Sequence, residues 1–131
     1  MKKIFIIIIS LLIISPTFAL ETPMKKLSKY FKNGELIKIS SYNSSKWLNG
    51  YMSIKDGSYK NNPIDVDAFI VFPKKGEGPF PVVMFAHASG GASLFTDEWF
   101  KFNRLMAKSL LKKGITVMFL DNFSARGQKH T

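Results

Sequence analysis

Ile4 to Ile14 is an apolar run broken only by Ser10, after which the chain turns polar and basic from Leu20 to Gly34. Within that polar stretch a short helix is predicted around Met24 to Phe31. Leu36 to Ser41 then alternates as a half-buried strand does. Asn43 to Asn62 is rich in Asn, Ser, Gly and Lys, the composition of a long loop or irregular hairpin. Trp47, Leu48, Tyr51, Met52 and Ile54 lie inside it, so part of it is expected to pack on the domain.

The pattern sharpens at Pro63. Asp65 to Phe72 is β-branched and aromatic, and it ends in the turn-rich segment Pro73 to Pro79. Pro81 to Ala86 is almost uninterruptedly apolar, which predicts a strand buried on both faces, as in a parallel sheet covered by helices. Thr96 to Lys113 reads as a helix, with Thr96 as N-cap and Asp97 and Glu98 in the first turn. Trp99, Phe102, Met106 and Leu110 form its apolar stripe with Leu105 at the margin, and Gly114 suits the left-handed position after the last turn. Ile115 to Leu120 is a second buried strand. Strand, helix and strand at this spacing form a βαβ unit with parallel strands, so the fold class is α/β.

The N-terminal run has the form of an export signal. Lys2 and Lys3 precede the apolar stretch, Pro16 breaks it, and Thr17-Phe18-Ala19 offers small residues to a signal peptidase. The alternative is a retained N-terminal anchor, but the run is short for a permanent span. The chain therefore divides into a signal peptide (1–19), an N-terminal extension with a strand and a long loop (20–62), and a partial α/β domain (63–131). Export implies a periplasmic or secreted protein that touches the membrane only through its signal.

Setting aside Lys2 and Lys3 lowers the formal charge from +10 to about +8. The remaining lysines are scattered and are not interleaved with aromatics, which argues for a solvated surface and against nucleic acid. With no cysteine there is neither a disulfide nor a thiolate nucleophile in these residues. Two histidines and no cysteine give no metal-ligand spacing, and no cofactor is implied.

Ligands of open α/β sheets bind beyond the carboxyl ends of the strands. His87 to Ser93 and Asp121 to Arg126 occupy that edge. The segment Pro79 to Gly91, an apolar strand running into His87-Ala88-Ser89-Gly90-Gly91, resembles the strand and oxyanion loop of α/β-hydrolases. Gly114 to Gly127, a strand leading into Asp121-Asn122-Phe123-Ser124-Ala125-Arg126-Gly127, resembles the corresponding segment of dienelactone hydrolase-like members. The resemblance spans Asp65 to about Gly127, roughly half the chain.

That family implies a mostly parallel sheet flanked by helices and a small-molecule ester or lactone substrate, possibly anionic. It also implies a Ser or Cys nucleophile on a strand-to-helix turn, followed by an Asp and then a His. No Gly-x-Ser-x-Gly occurs, and the turn is expected one helix and one strand after Arg126. The reading is thus of the N-terminal portion of such an enzyme, inactive alone, with nucleophile, acid and base outside this chain. Ser89 and Ser93 follow the wrong strand for a nucleophile.

By position in the motif, the N–H groups of Ser89 and then Ala88 are the oxyanion donors, with His87 supporting the loop and Gly90 and Gly91 folding it back. Ala88 stands where the family often has Gly. An ordinary glycine turn is the plainer alternative. Arg126 either grips an anionic substrate or pairs with Asp121 to hold its loop; the sequence does not separate the two. Outside the enzyme class, the chain also fits a small exported binding protein with a partial hydrolase fold, or a basic membrane-associated protein.

Overall fold

The computed structural model describes residues 21–43, 55, 57–99 and 101–128. The segment expected to be an export signal, the apolar residues Trp47 to Ile54 and His130 lie outside them. Strands β1 (Gly34–Tyr42), β2 (Pro63–Val71), β3 (Val82–Ala86) and β4 (Thr116–Asp121) form one mixed sheet in the order β1-β2-β4-β3. β2 runs antiparallel to both β1 and β4, while β3 and β4 are parallel. β1, β3 and β4 therefore point the same way, and their carboxyl ends share one edge of the sheet. The predicted α/β class and the parallel crossover are both present.

Helix α1 (Pro23–Lys26) starts at Thr22, whose side chain accepts the Lys25 N–H, with Pro23 in the first position, where its missing N–H costs nothing. It continues as a 3-10 turn over Leu27–Lys29. Its apolar residues Met24 and Leu27, with Phe31 just beyond, join Phe69, Val71, Val117 and Phe119 on one face of the sheet. Phe119 is the centre of that cluster, with ring centroids 5.6 Å from Phe31 and 5.1 Å from both Phe85 and Phe95.

Helix α2 (Lys101–Lys112) makes the crossover and packs on β4, its Ala107 joining Met24 and Leu27 in the same core cluster. It ends as expected. Gly114 has φ 79°, its N–H bonds the Leu111 carbonyl, and the Ile115 N–H reaches back to Leu110, which together make a Schellman motif. Its beginning differs from expectation. Thr96 does not cap α2: it closes the 3-10 turn Ala92–Phe95 and donates its hydroxyl to the Ser93 carbonyl.

The buried face of α2 also differs. Arg104 and Ala107 are buried, with Leu110 and Leu111 partly so, whereas Trp99 is 93% exposed and Phe102, Leu105 and Met106 also face solvent. Arg104 takes the inner position because its guanidinium finds carbonyls there. Nη1 donates to Phe95 O (3.0 Å) and Asp97 O (2.9 Å), Nη2 donates to Glu98 Oε1 (2.6 Å), and the Tyr30 ring lies 4.2 Å beneath. Of the predicted stripe, Leu110 alone packs against the core.

Nor is the strand at Pro81 to Ala86 buried on both faces. β3 is an edge strand, and Val82 and Met84 are more than half exposed. Apolarity on both faces shows what a strand tolerates, not what covers it. α1 packs on β2 and β4, and α2 on β4. By the 100° helical step Phe102 and Met106 fall outside the arc of Arg104, Ala107 and Leu111 that faces the core. Val83 and Phe85 pair with Val117 and Phe119 on the helix-covered face, so Val82 and Met84 stand on the opposite face of the sheet, away from α2.

Candidate functional site

The loops after β3 and β4 meet at the carboxyl edge of the sheet. His87 leaves β3 with its side chain only 1% exposed. Its Nε2 accepts the Asn122 N–H at 3.0 Å, and its Nδ1 lies 2.9 Å from the Ala88 carbonyl oxygen. A nitrogen that accepts an amide hydrogen carries no proton of its own, so the ring is neutral and Nδ1–H is the donor to Ala88. Asp121 Oδ1 is 3.9 Å from Nε2. With a neutral ring that contact is not an ion pair. One imidazole therefore ties both loops together.

Ala88 O also accepts the Gly91 N–H (3.0 Å), closing a β-turn over Ala88–Gly91. The trans peptide sets the Ala88 carbonyl and the Ser89 N–H in opposite directions. Two donors holding that carbonyl inward therefore turn the Ser89 N–H away from His87. Gly91 has φ 75° and ψ −178°, a conformation open essentially to glycine alone. It carries the chain into the 3-10 turn Ala92–Phe95, where Ser93 Oγ donates to Gly90 O (3.2 Å). Gly90 is not in the left-handed region, so the fold-back expected of both glycines rests on Gly91.

Asp121 is buried and faces its own loop. Oδ1 accepts the N–H groups of Phe123 (3.1 Å) and Ser124 (3.0 Å), and Oδ2 accepts the Ser124 hydroxyl (2.6 Å). The carboxylate fixes the turn that presents the Asn122 N–H to His87. Phe123 packs edge-on against the imidazole at 4.4 Å.

Arg126 does not pair with Asp121. Its Nη1 donates to Asn122 O (2.6 Å), and Nη2 donates to Ser41 Oγ (3.1 Å) and Tyr42 O (3.0 Å). The guanidinium staples the loop after β4 to the end of β1, with carbonyl and hydroxyl oxygens where one of the two readings placed the Asp121 carboxylate. β1 lies three strand spacings from β3, or about 14 Å. A substrate held by both Arg126 and the Ser89 loop would have to span most of that distance.

Both ring nitrogens of His87 are engaged, so the ring has no lone pair to activate Ser89 or Ser93. Among the described residues no group of His, Asp and Glu is arranged to hold a metal ion. Sequence reasoning missed the parts played by Asn122, which acts through its backbone, and by Arg104 and Tyr30, which brace the segment after the loop. Nothing in the residue pattern marks a main-chain donor. No protein-family model matches the chain, and neither does any curated protein sequence.

Proposed function

We propose that this chain supplies the oxyanion half of an exported ester or lactone hydrolase of the dienelactone hydrolase type, with the nucleophile contributed by a further segment. The observation that carries the reading is the His87-held turn. It is a glycine-dependent loop after the third strand, before the crossover helix, with the Ser89 N–H turned away from the imidazole that fixes its peptide. Donors on the loop after the third strand are what α/β-hydrolases use to stabilise the tetrahedral oxyanion. In this reading His87 is a positioning residue, and the catalytic base lies elsewhere.

The exposed apolar residues of β3 support the same reading. A nucleophile must come within about 3 Å of the site where the oxyanion donors point. β4 occupies one side of β3, so the strand bearing the nucleophile belongs on the other. β3 is the edge of the described sheet on that side, and Val82 and Met84 are exposed on its face away from α2. A paired strand and a following helix would bury them.

The test uses the protein made from its complete reading frame, assayed with p-nitrophenyl butyrate and a small lactone. The expected result is turnover through an acyl-enzyme, seen as a burst of p-nitrophenol and an acyl adduct by mass. Absence of turnover in a soluble monomer that unfolds cooperatively would favour the binding-protein alternative and overturn the proposal.

A further inference from the structure

At the end of the sheet opposite these loops lies a groove of about 780 Å³ between α2 and the segments that enter β1 and leave β2. Its floor is apolar, from Phe31, Phe72, Leu105 and Leu111. Its rim carries Lys32, Lys74, Lys75, Lys108 and Lys112, and no carboxylate lines it. Scattered along the sequence, these lysines come together because residues 32–33, 72–75 and the flank of α2 nearest α1 converge at the amino ends of β1 and β4. Among the described residues none of the five is in an ion pair; the ion pairs there involve Lys29, Lys38 and Arg104.

Five ammonium groups around one recess repel each other, although Lys108 Nζ gains a cation–π contact 6.0 Å over the Phe31 ring. Complementing the carbonyl end of α2 accounts for Lys112 and at most Lys108. It does not account for Lys32, Lys74 and Lys75, which belong to other segments. A like-charged rim is stabilised by an anion, and an apolar floor by a hydrocarbon. The volume falls in the range of small-molecule sites, and the recess is concave, unlike a flat membrane-facing patch. From this we infer that the groove binds a single-chain anionic amphiphile, its head on the lysine rim and its tail along Phe31, Phe72 and Leu105. The inference does not rest on the hydrolase reading.

The test is calorimetric titration of the protein with dodecanoate below its micelle concentration, with dodecanol and inorganic phosphate as single-feature probes. Dodecanoate is expected to bind, with dodecanol and phosphate each weaker by about tenfold or more. Lys74→Glu/Lys108→Glu is expected to weaken dodecanoate by about tenfold or more, while the charge-matched Lys25→Glu/Lys101→Glu leaves it unchanged. All four lysines are exposed, so each variant keeps the core intact. Equal losses in both double variants would show general basicity and overturn the site. Capture by phosphatidylglycerol vesicles without binding of dodecanoate would overturn it in favour of a membrane surface.

Discussion

Replacing His87 by Phe keeps a ring of similar size against Phe123 and Phe95 and deletes both polar contacts. The two ends of the lost network are unequal. Ala88 O keeps the Gly91 N–H, so no acceptor is stranded. The Asn122 N–H loses the partner it has at 3.0 Å in a half-buried position. A net hydrogen bond is worth about 1 kcal/mol and a stranded buried donor about 1–3 kcal/mol, so His87→Phe should destabilise by about 2 kcal/mol. The phenyl ring's greater hydrophobicity offsets only part of this. Urea unfolding should show a lower midpoint at unchanged slope. Amide exchange at Asn122 should quicken by about thirtyfold, the equivalent of 2 kcal/mol. A stability change below about 0.5 kcal/mol with unchanged exchange at Asn122 would refute the claim that this imidazole joins the loops.

Arg104→Met retains length but leaves the Phe95 and Asp97 carbonyls without the guanidinium; a loss of about 2–4 kcal/mol in urea unfolding is expected. Little of that comes from Glu98, whose side chain is 72% exposed, so Glu98→Gln should cost well under 1 kcal/mol. Gly91→Ala forces a side chain into a glycine conformation and should lower stability by about 1–3 kcal/mol, read as a fall in Tm. Lys38 lies 2.5 Å from Asp67 Oδ1, and this hydrogen bond and the carboxylate's charge raise its pKa above the ordinary 10.5. The folded state thus holds its proton longer than the unfolded one, so the pair's contribution is intact below pH 10.5 and is lost as pH rises through the raised value. Lys38→Met should abolish that alkaline fall in a pH series of urea midpoints.

Much of the fold was legible because periodicity and turn chemistry are local. The strands at β1, β2 and β4, the parallel crossover and the glycine stop of α2 follow from alternation, β-branching and the position of Gly114. What failed depended on neighbours. The apolar run of β3 and the stripe Trp99, Phe102 and Met106 were read as buried, yet burial requires a covering layer that no pattern within the run specifies. Arg104 lay hidden for the converse reason: a charged residue is expected outside unless carbonyls converge on it, and those of Phe95 and Asp97 are arranged by a turn that Thr96 closes. At the candidate site, the motif located His87 to Gly91 and Asp121 to Arg126 at one edge. It did not disclose that His87 works through the Asn122 main chain, or that Arg126 spends its donors on Ser41, Tyr42 and Asn122.

The central claim is that the Ser89 N–H is an oxyanion donor, and Ser89→Pro addresses it directly. Ser89 is the second residue of the Ala88–Gly91 turn, the position that accepts proline, so the substitution deletes one N–H and keeps the turn bond. In the protein from the complete reading frame, kcat for p-nitrophenyl butyrate should fall by about 100- to 1000-fold with Tm nearly unchanged, while Ser89→Ala leaves kcat close to the parent. A folded Ser89→Pro protein whose kcat stays within about threefold of the parent would contradict the account.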